Sequence, residues 1–135
     1  MTVNSMYPAQ GLTIVDGMFS EQFFLGVGEA TFQEHVIEAG QVLKAGSVLG
    51  QVTASFELKL SDPAAGDGSE VPMAVLLEPL DTTAAADEVS VLVAATQQIN
   101  FNTLVYPAGW NKNQLKAALR ANSLRVTTAL YSGKL

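Results

Sequence analysis

The chain has 135 residues, 48% hydrophobic and 15% charged, with a formal net charge of −6 and no cysteine. This length suits one domain with its own core, and this composition excludes a disordered, solvated chain. The seven scattered Lys and Arg exclude a basic face for nucleic acid, and the lack of cysteine excludes disulfides, thiolate metal sites and a cysteine nucleophile. So little charge on a small domain points to apolar surface that another chain covers.

Residues 1–36 combine weak secondary-structure signals with much apolar surface. The opening "MTVNSMYPAQ" has no basic stretch and no long apolar run, so no signal peptide is expected there. No run anywhere approaches the roughly 20 apolar residues of a membrane helix. "GLTIVDG" reads as a short strand between Gly11 and Gly17. "MFSEQFFLGVG" crowds Met18, Phe19, Phe23, Phe24 and Leu25 together, and four of the six Phe lie between residues 19 and 32. Two readings stay open: a leading strand packed on the core, or an arm that orders on a partner. The expected division is therefore an N-terminal arm and leading strand over 1–36 and a β domain over 37–135.

"IEAGQVLKAGSVLGQV", residues 37–52, places Gly40 and Gly46 six positions apart among Val42, Leu43, Val48, Leu49 and Val52. Glycine lets a chain reverse sharply, so reversals at Ala39-Gly40 and Ala45-Gly46 predict a compact β ribbon. The segment is similar to the hairpin that precedes the modified lysine of biotin and lipoyl carriers. Counted from Gly46 and Leu49, that lysine falls near Phe56; Lys59 comes about three residues late. An odd slip turns a strand residue to the opposite face, which tells against a carrier.

Residues 37–60 read as two or three short strands, including "SVLGQVT" and "SFELKL". "SDPAAGDGSE", 61–70, is a turn-rich loop without an apolar anchor. "VPMAVLLEPL", 71–80, is short and almost wholly apolar, a buried strand with Pro72 and Pro79 near its ends. "DTTAAADE" is a polar connector to a second buried strand, Val89 to Ala94. One helix is predicted over 111–122: Leu115, Ala118 and Leu119 share a face, Asn111 caps its start and Asn122 its end. "SLRVTTALY" closes the chain as a strand. The fold expected is mainly β, a small barrel or clip with one short helix near the C-terminus.

No catalytic constellation is visible. His35 is the only histidine, and its neighbour Glu34 would face the opposite side of a strand. Asp81, Asp87 and Glu88 read as a solvated connector rather than a facing carboxylate pair. Asp62, Asp67 and Glu70 lack the regular spacing and closing bidentate Glu of a calcium loop. Neither an enzyme, a cofactor nor a bound metal is expected.

From the ribbon onward the order of elements resembles the head decoration protein family of tailed phages. It runs from "LKAGSVLGQVT" through the loop "SDPAAGDGSE" to "VPMAVLLEPLDTTAAADEVSVLVAATQQIN" and "FNTLVYPAGWNKNQLKAALRANSLRV", about residues 38–130. The resemblance implies a β-clip-like domain forming a homotrimer on the outer surface of the expanded head. It would sit at local three-fold positions, hold the major capsid protein against internal DNA pressure, and be assembled in the host cytoplasm. Neither nucleic acid nor membrane is an expected partner. It also implies that the N-terminal arm contacts the capsid, often by strand addition. Val3, Tyr7, Leu12, Ile14, Phe19 and Phe23 are then the candidate capsid-binding residues. The N-terminal region is longer than the family pattern implies, so part of it is open to a role in the folded domain.

Overall fold

A computed structural model describes residues 23–25 and 28–127. Its strands are β1 (Phe24–Leu25), β2 (Ala30–Ile37), β3 (Val42–Leu43), β4 (Val48–Gln51) and β5 (Leu58–Leu60). They continue as β6 (Pro72–Leu76), β7 (Leu80–Asp81) and β8 (Asp87–Asn100). A 3-10 turn (Phe101–Thr103), helix α1 (Lys112–Ala121) and strand β9 (Leu124–Thr127) complete the described chain.

Five of these strands pair in a closed circuit. β8 pairs with β2, β2 with β5, β5 with β4, β4 with β6, and β6 again with β8. The β2–β5 step is parallel at Ile37 and Leu58; the other four are antiparallel. Closure removes the open edges that a sheet of this size would expose. Strand β8 runs on past the circuit, where β1 joins it antiparallel at Ile99 and Gln98 and β9 joins it parallel from Ala95 to Asn100. The mainly β fold with one helix near the C-terminus matches the sequence expectation.

The near-continuous apolar runs have a simple cause. Alternate residues of a strand point to opposite faces, and here both faces are covered. Leu49, Ala74, Leu76 and Val91 join Ile37, Leu43 and Leu58 in one buried cluster, supplied by all five strands of the ring. Their sequence neighbours Val48, Val75 and Leu92 join a second cluster with Leu115 and Leu119 of α1, Leu124 and Val126 of β9, and Phe23. The ring thus has an inner core and a second core under the helix.

The helix lies where predicted. The Asn111 side chain accepts from Asn113 N at 2.9 Å and Gln114 N at 3.2 Å. At the other end Asn122 Nδ2 donates to Ala118 O at 3.1 Å and to Pro72 O at 2.9 Å, tying the helix to the start of β6.

Three expectations need correction. Gly40 and Gly46 do turn the chain, with φ of 89° and 90° in the left-handed region, but no ribbon results. The strands they separate pair elsewhere: β3 with β7, and β4 with β5 and β6. The polar run 81–88 is not all connector, since Asp87 and Glu88 begin β8 opposite Ile37 and Val36. The run 71–80 is two strands, because the chain bends at Glu78 before Pro79 and Leu80 pairs with Leu43. Of "SLRVTTALY", Ser123 ends the turn after α1, residues 124–127 form β9, and residues 128–131 lie outside the described residues, as does "GLTIVDG".

Candidate functional site

Of the six candidate capsid-binding residues, Val3, Tyr7, Leu12, Ile14 and Phe19 lie outside the described residues. Phe23 is described and is 1% exposed. Its ring meets Phe24 edge-on at 4.8 Å, and its carbonyl accepts from Asn100 N at 2.7 Å. Its side chain therefore serves the core under α1, and the two residues after it are held as β1 against β8.

The histidine and the acids singled out in the sequence do not converge on one another. His35 lies in β2 with Nε2 at 3.2 Å from Gln33 Oε1, two residues away on the same face. Asp81 accepts from Thr83 N at 2.8 Å, and hydrogen bonds from the Thr83 side chain and backbone lower its pKa. In the 61–70 loop each acid is turned on its own backbone. Asp62 accepts from Ala64 N at 2.9 Å and Glu70 from Gly68 N at 2.8 Å. Asp67 accepts from Ser69 Oγ at 2.6 Å and Ser69 N at 3.0 Å. These bonds to Ser69, with Lys59 nearby, pull the Asp67 carboxyl down to about 2. No group of three or more His, Asp or Glu converges among the described residues.

Lys59 is in mid-strand β5, opposite Gly50, and its ammonium lies 3.4 Å from Asp67 and 3.9 Å from Glu38. A carrier lysine needs to stand free at a turn; this one is paired along a strand. At the turn itself, between β4 and β5, stands Phe56.

The surface is notable for apolar groups rather than charge. Phe56 is 69% exposed and Phe32 44%, with Val42 and Val71 also exposed. Beside Phe32 the 77–80 segment and the start of β8 enclose a groove of about 300 Å³ lined chiefly by Leu76, Leu77, Pro79, Leu80 and Val89. The sequence reading passed over both features. Phe56 came up only as the wrong residue at a carrier position, and the groove joins residues from β2, β6, β7 and β8 that no local pattern connects.

On the opposite account, the polar surface beside β9 gathers Arg120, Arg125, Ser123, Thr31 and Thr96 around an open cleft, with Glu29 among them. That cleft holds one acid and two bases, all solvent-facing, and its lining includes no buried polar side chain.

A comparison with curated proteins finds no match. The family model for bacteriophage lambda head decoration protein D matches residues 13–125. That span takes in the helix and every described strand save the last two residues of β9, and it includes residues 13–37, upstream of the stretch on which the sequence resemblance rested. A match over most of the chain is decisive: the chain belongs to the bacteriophage lambda head decoration protein D family, structural components of the phage capsid.

Proposed function

We propose that this capsid decoration protein acts as a homotrimer on the outer surface of the expanded head, at local three-fold positions. There it binds the major capsid protein and holds the shell against the pressure of packaged DNA. The family match over residues 13–125 carries the reading. Cementing asks for contact surface and a rigid body, and this chain supplies 48% hydrophobic residues and a ring closed by hydrogen bonds. Modest contacts made by three copies at once add through multivalency.

In this proposal the N-terminal segment docks on the shell, with Val3, Tyr7, Leu12, Ile14 and Phe19 as its contacts, and Phe23 is its root in the domain. The test is cosedimentation of the purified protein with undecorated, expanded heads of its own phage. Saturable binding, at three copies per local three-fold position, is expected. A folded protein that fails to bind the heads sinks the reading.

A further inference from the structure

Aspartate followed by glycine is a chemically labile pair in water. Glycine has no side chain to keep its nitrogen away from the neighbouring carboxyl. When that nitrogen attacks the aspartate Cγ, a C–N bond forms, and the carboxyl hydroxyl leaves with the amide hydrogen as water. The succinimide then takes water back. Where the ring opens at the other carbonyl, the main chain runs on through Cβ and the residue is isoaspartate. The sequence holds two such pairs, Asp16-Gly17 and Asp67-Gly68, and the second lies among the described residues.

Neither residue of the second pair can be exchanged freely. Gly68 has a φ of 103°, and a Cβ on it would run into the Thr53 hydroxyl and the Gln51 carbonyl. Asp67 Oδ1 accepts from both Ser69 N and Ser69 Oγ, and Ser69 is fully buried. The loop thus needs a labile pair, and the same neighbourhood pins its reacting atoms. Gly68 N, the nucleophile, donates to Glu70 Oε1 at 2.8 Å. The carboxyl is held at both oxygens, Oδ1 by the two Ser69 bonds at 3.0 and 2.6 Å and Oδ2 by Lys59 Nζ at 3.4 Å. The flanking carbonyls are tied as well: Asp67 O accepts from Thr53 N at 2.8 Å, and Ser69 O accepts from Ser61 Oγ at 2.8 Å.

Ring closure consumes the Gly68 N–H and one carboxyl oxygen. It therefore breaks the bond to Glu70 and at least one bond to Ser69 or Lys59, all of them charge-assisted and of the stronger kind. These donors also favour the ionised carboxylate, which has no hydroxyl to lose. We propose that Asp67-Gly68 is a modification site gated by the fold: it resists isomerisation while the loop is anchored, and it converts to isoaspartate when the loop opens. Conversion adds one carbon to the main chain, so the loop no longer fits between Thr53 and Ser61. Its rate follows the fraction of time that the loop spends open.

The test holds the purified protein at neutral pH below its melting transition and, in parallel, in guanidinium chloride. Trypsin cleaves after Lys44, Lys59 and Lys112, so the two Asp-Gly pairs fall on different peptides. Electron-transfer fragmentation then locates isoaspartate at residue 67, and conversion of Asp16-Gly17 in denaturant shows that the assay detects the reaction. Conversion at Asp67 is expected to be at least about tenfold slower in the folded protein than in denaturant. Glu70→Ala, which removes the acceptor on Gly68 N, should speed it several-fold in the folded protein. Glu70→Gln, which keeps an oxygen there, should stay near wild type. Asn111→Ala weakens the remote helix cap and is the control for lost stability alone.

Conversion as fast in the folded protein as in denaturant overturns the proposal. So does an unchanged rate in folded Glu70→Ala. Equal acceleration by Asn111→Ala would make unfolding of the whole domain the gate, and also overturns it. The wild-type comparison decides by itself if Glu70→Ala fails to fold.

Discussion

Asp67 carries a cost that pH can reveal. Its carboxyl titrates at about 2 in the folded chain, against an ordinary 3.8, because Ser69 donates two hydrogen bonds to the charged form and Lys59 lies beside it. A lowered folded value means stability that is whole above about pH 4 and is lost as the pH falls through 3.8 toward 2. Denaturant midpoints between pH 5 and 2 should fall for the wild type, and Asp67→Asn should flatten the part of that fall due to this residue. Gly50 tests the other side of the same loop. A Cβ there would run into the Ser69 carbonyl, so Gly50→Ala should cost about 1–3 kcal/mol in chemical unfolding, as overpacking does. None of this was readable in "SDPAAGDGSE". Asp, Gly and Pro announced a turn, but Ser61 and Ser69 are fully buried anchors, and serine is as common in open turns as in closed ones.

At the scale of elements, α1 was legible because its signals are local. Apolar spacing, an Asn cap and a terminating Asn lie within twelve positions, and all three were found in place. Leu115 is fully buried between the helix and the ring, so Leu115→Ala should destabilise by about 2–5 kcal/mol in equilibrium unfolding. Asn111→Ala should cost about 1 kcal/mol by removing both acceptor contacts at the first turn. Strand β8 was only half legible. Val89 to Ala94 announced itself because all but Ser90 are apolar, with Val91 and Leu92 buried in the two different cores. Beyond Ala95 the neighbours change to β1 and β9, with Thr96 and Gln98 exposed and Ile99 and Asn100 buried, and the pattern blurs. The ribbon at 37–52 failed for the same reason in reverse: glycines report where the chain turns, while the choice of partner strand belongs to residues far away.

For the molecule as a whole, Phe23 is a buried part of the second core, while the proposed function assigns Phe19 to the docking segment. Phe23→Ala should lower stability by about 3–5 kcal/mol, since it empties a site in the second core. Phe19→Ala, and removal of residues 1–20, should leave unfolding midpoints unchanged and weaken cosedimentation with heads; unchanged head binding by the truncated protein would refute the docking role. Family membership was legible from the order of elements more than from any one motif, because each short strand is common and only their succession is distinctive. The exposed Phe56 and the groove beside Phe32 were not legible, since exposure is a property of the folded surface.

Closure of the ring sets a schedule as well as a shape. Ile37 must meet Asp87, and Val75 must meet Leu92, before β8 has both of its ring neighbours and the circuit closes. Such distant pairings delay folding relative to a helical bundle of the same size. They also leave few places to unzip from: Val91 and Leu92 are paired on both sides, to β2 and to β6. Their amides should be among the last to exchange with heavy water, well after those of the 3-10 turn or β9. A protein fastened to a shell for the lifetime of a particle gains from this, because a body that seldom opens offers a protease few moments in which to cut it.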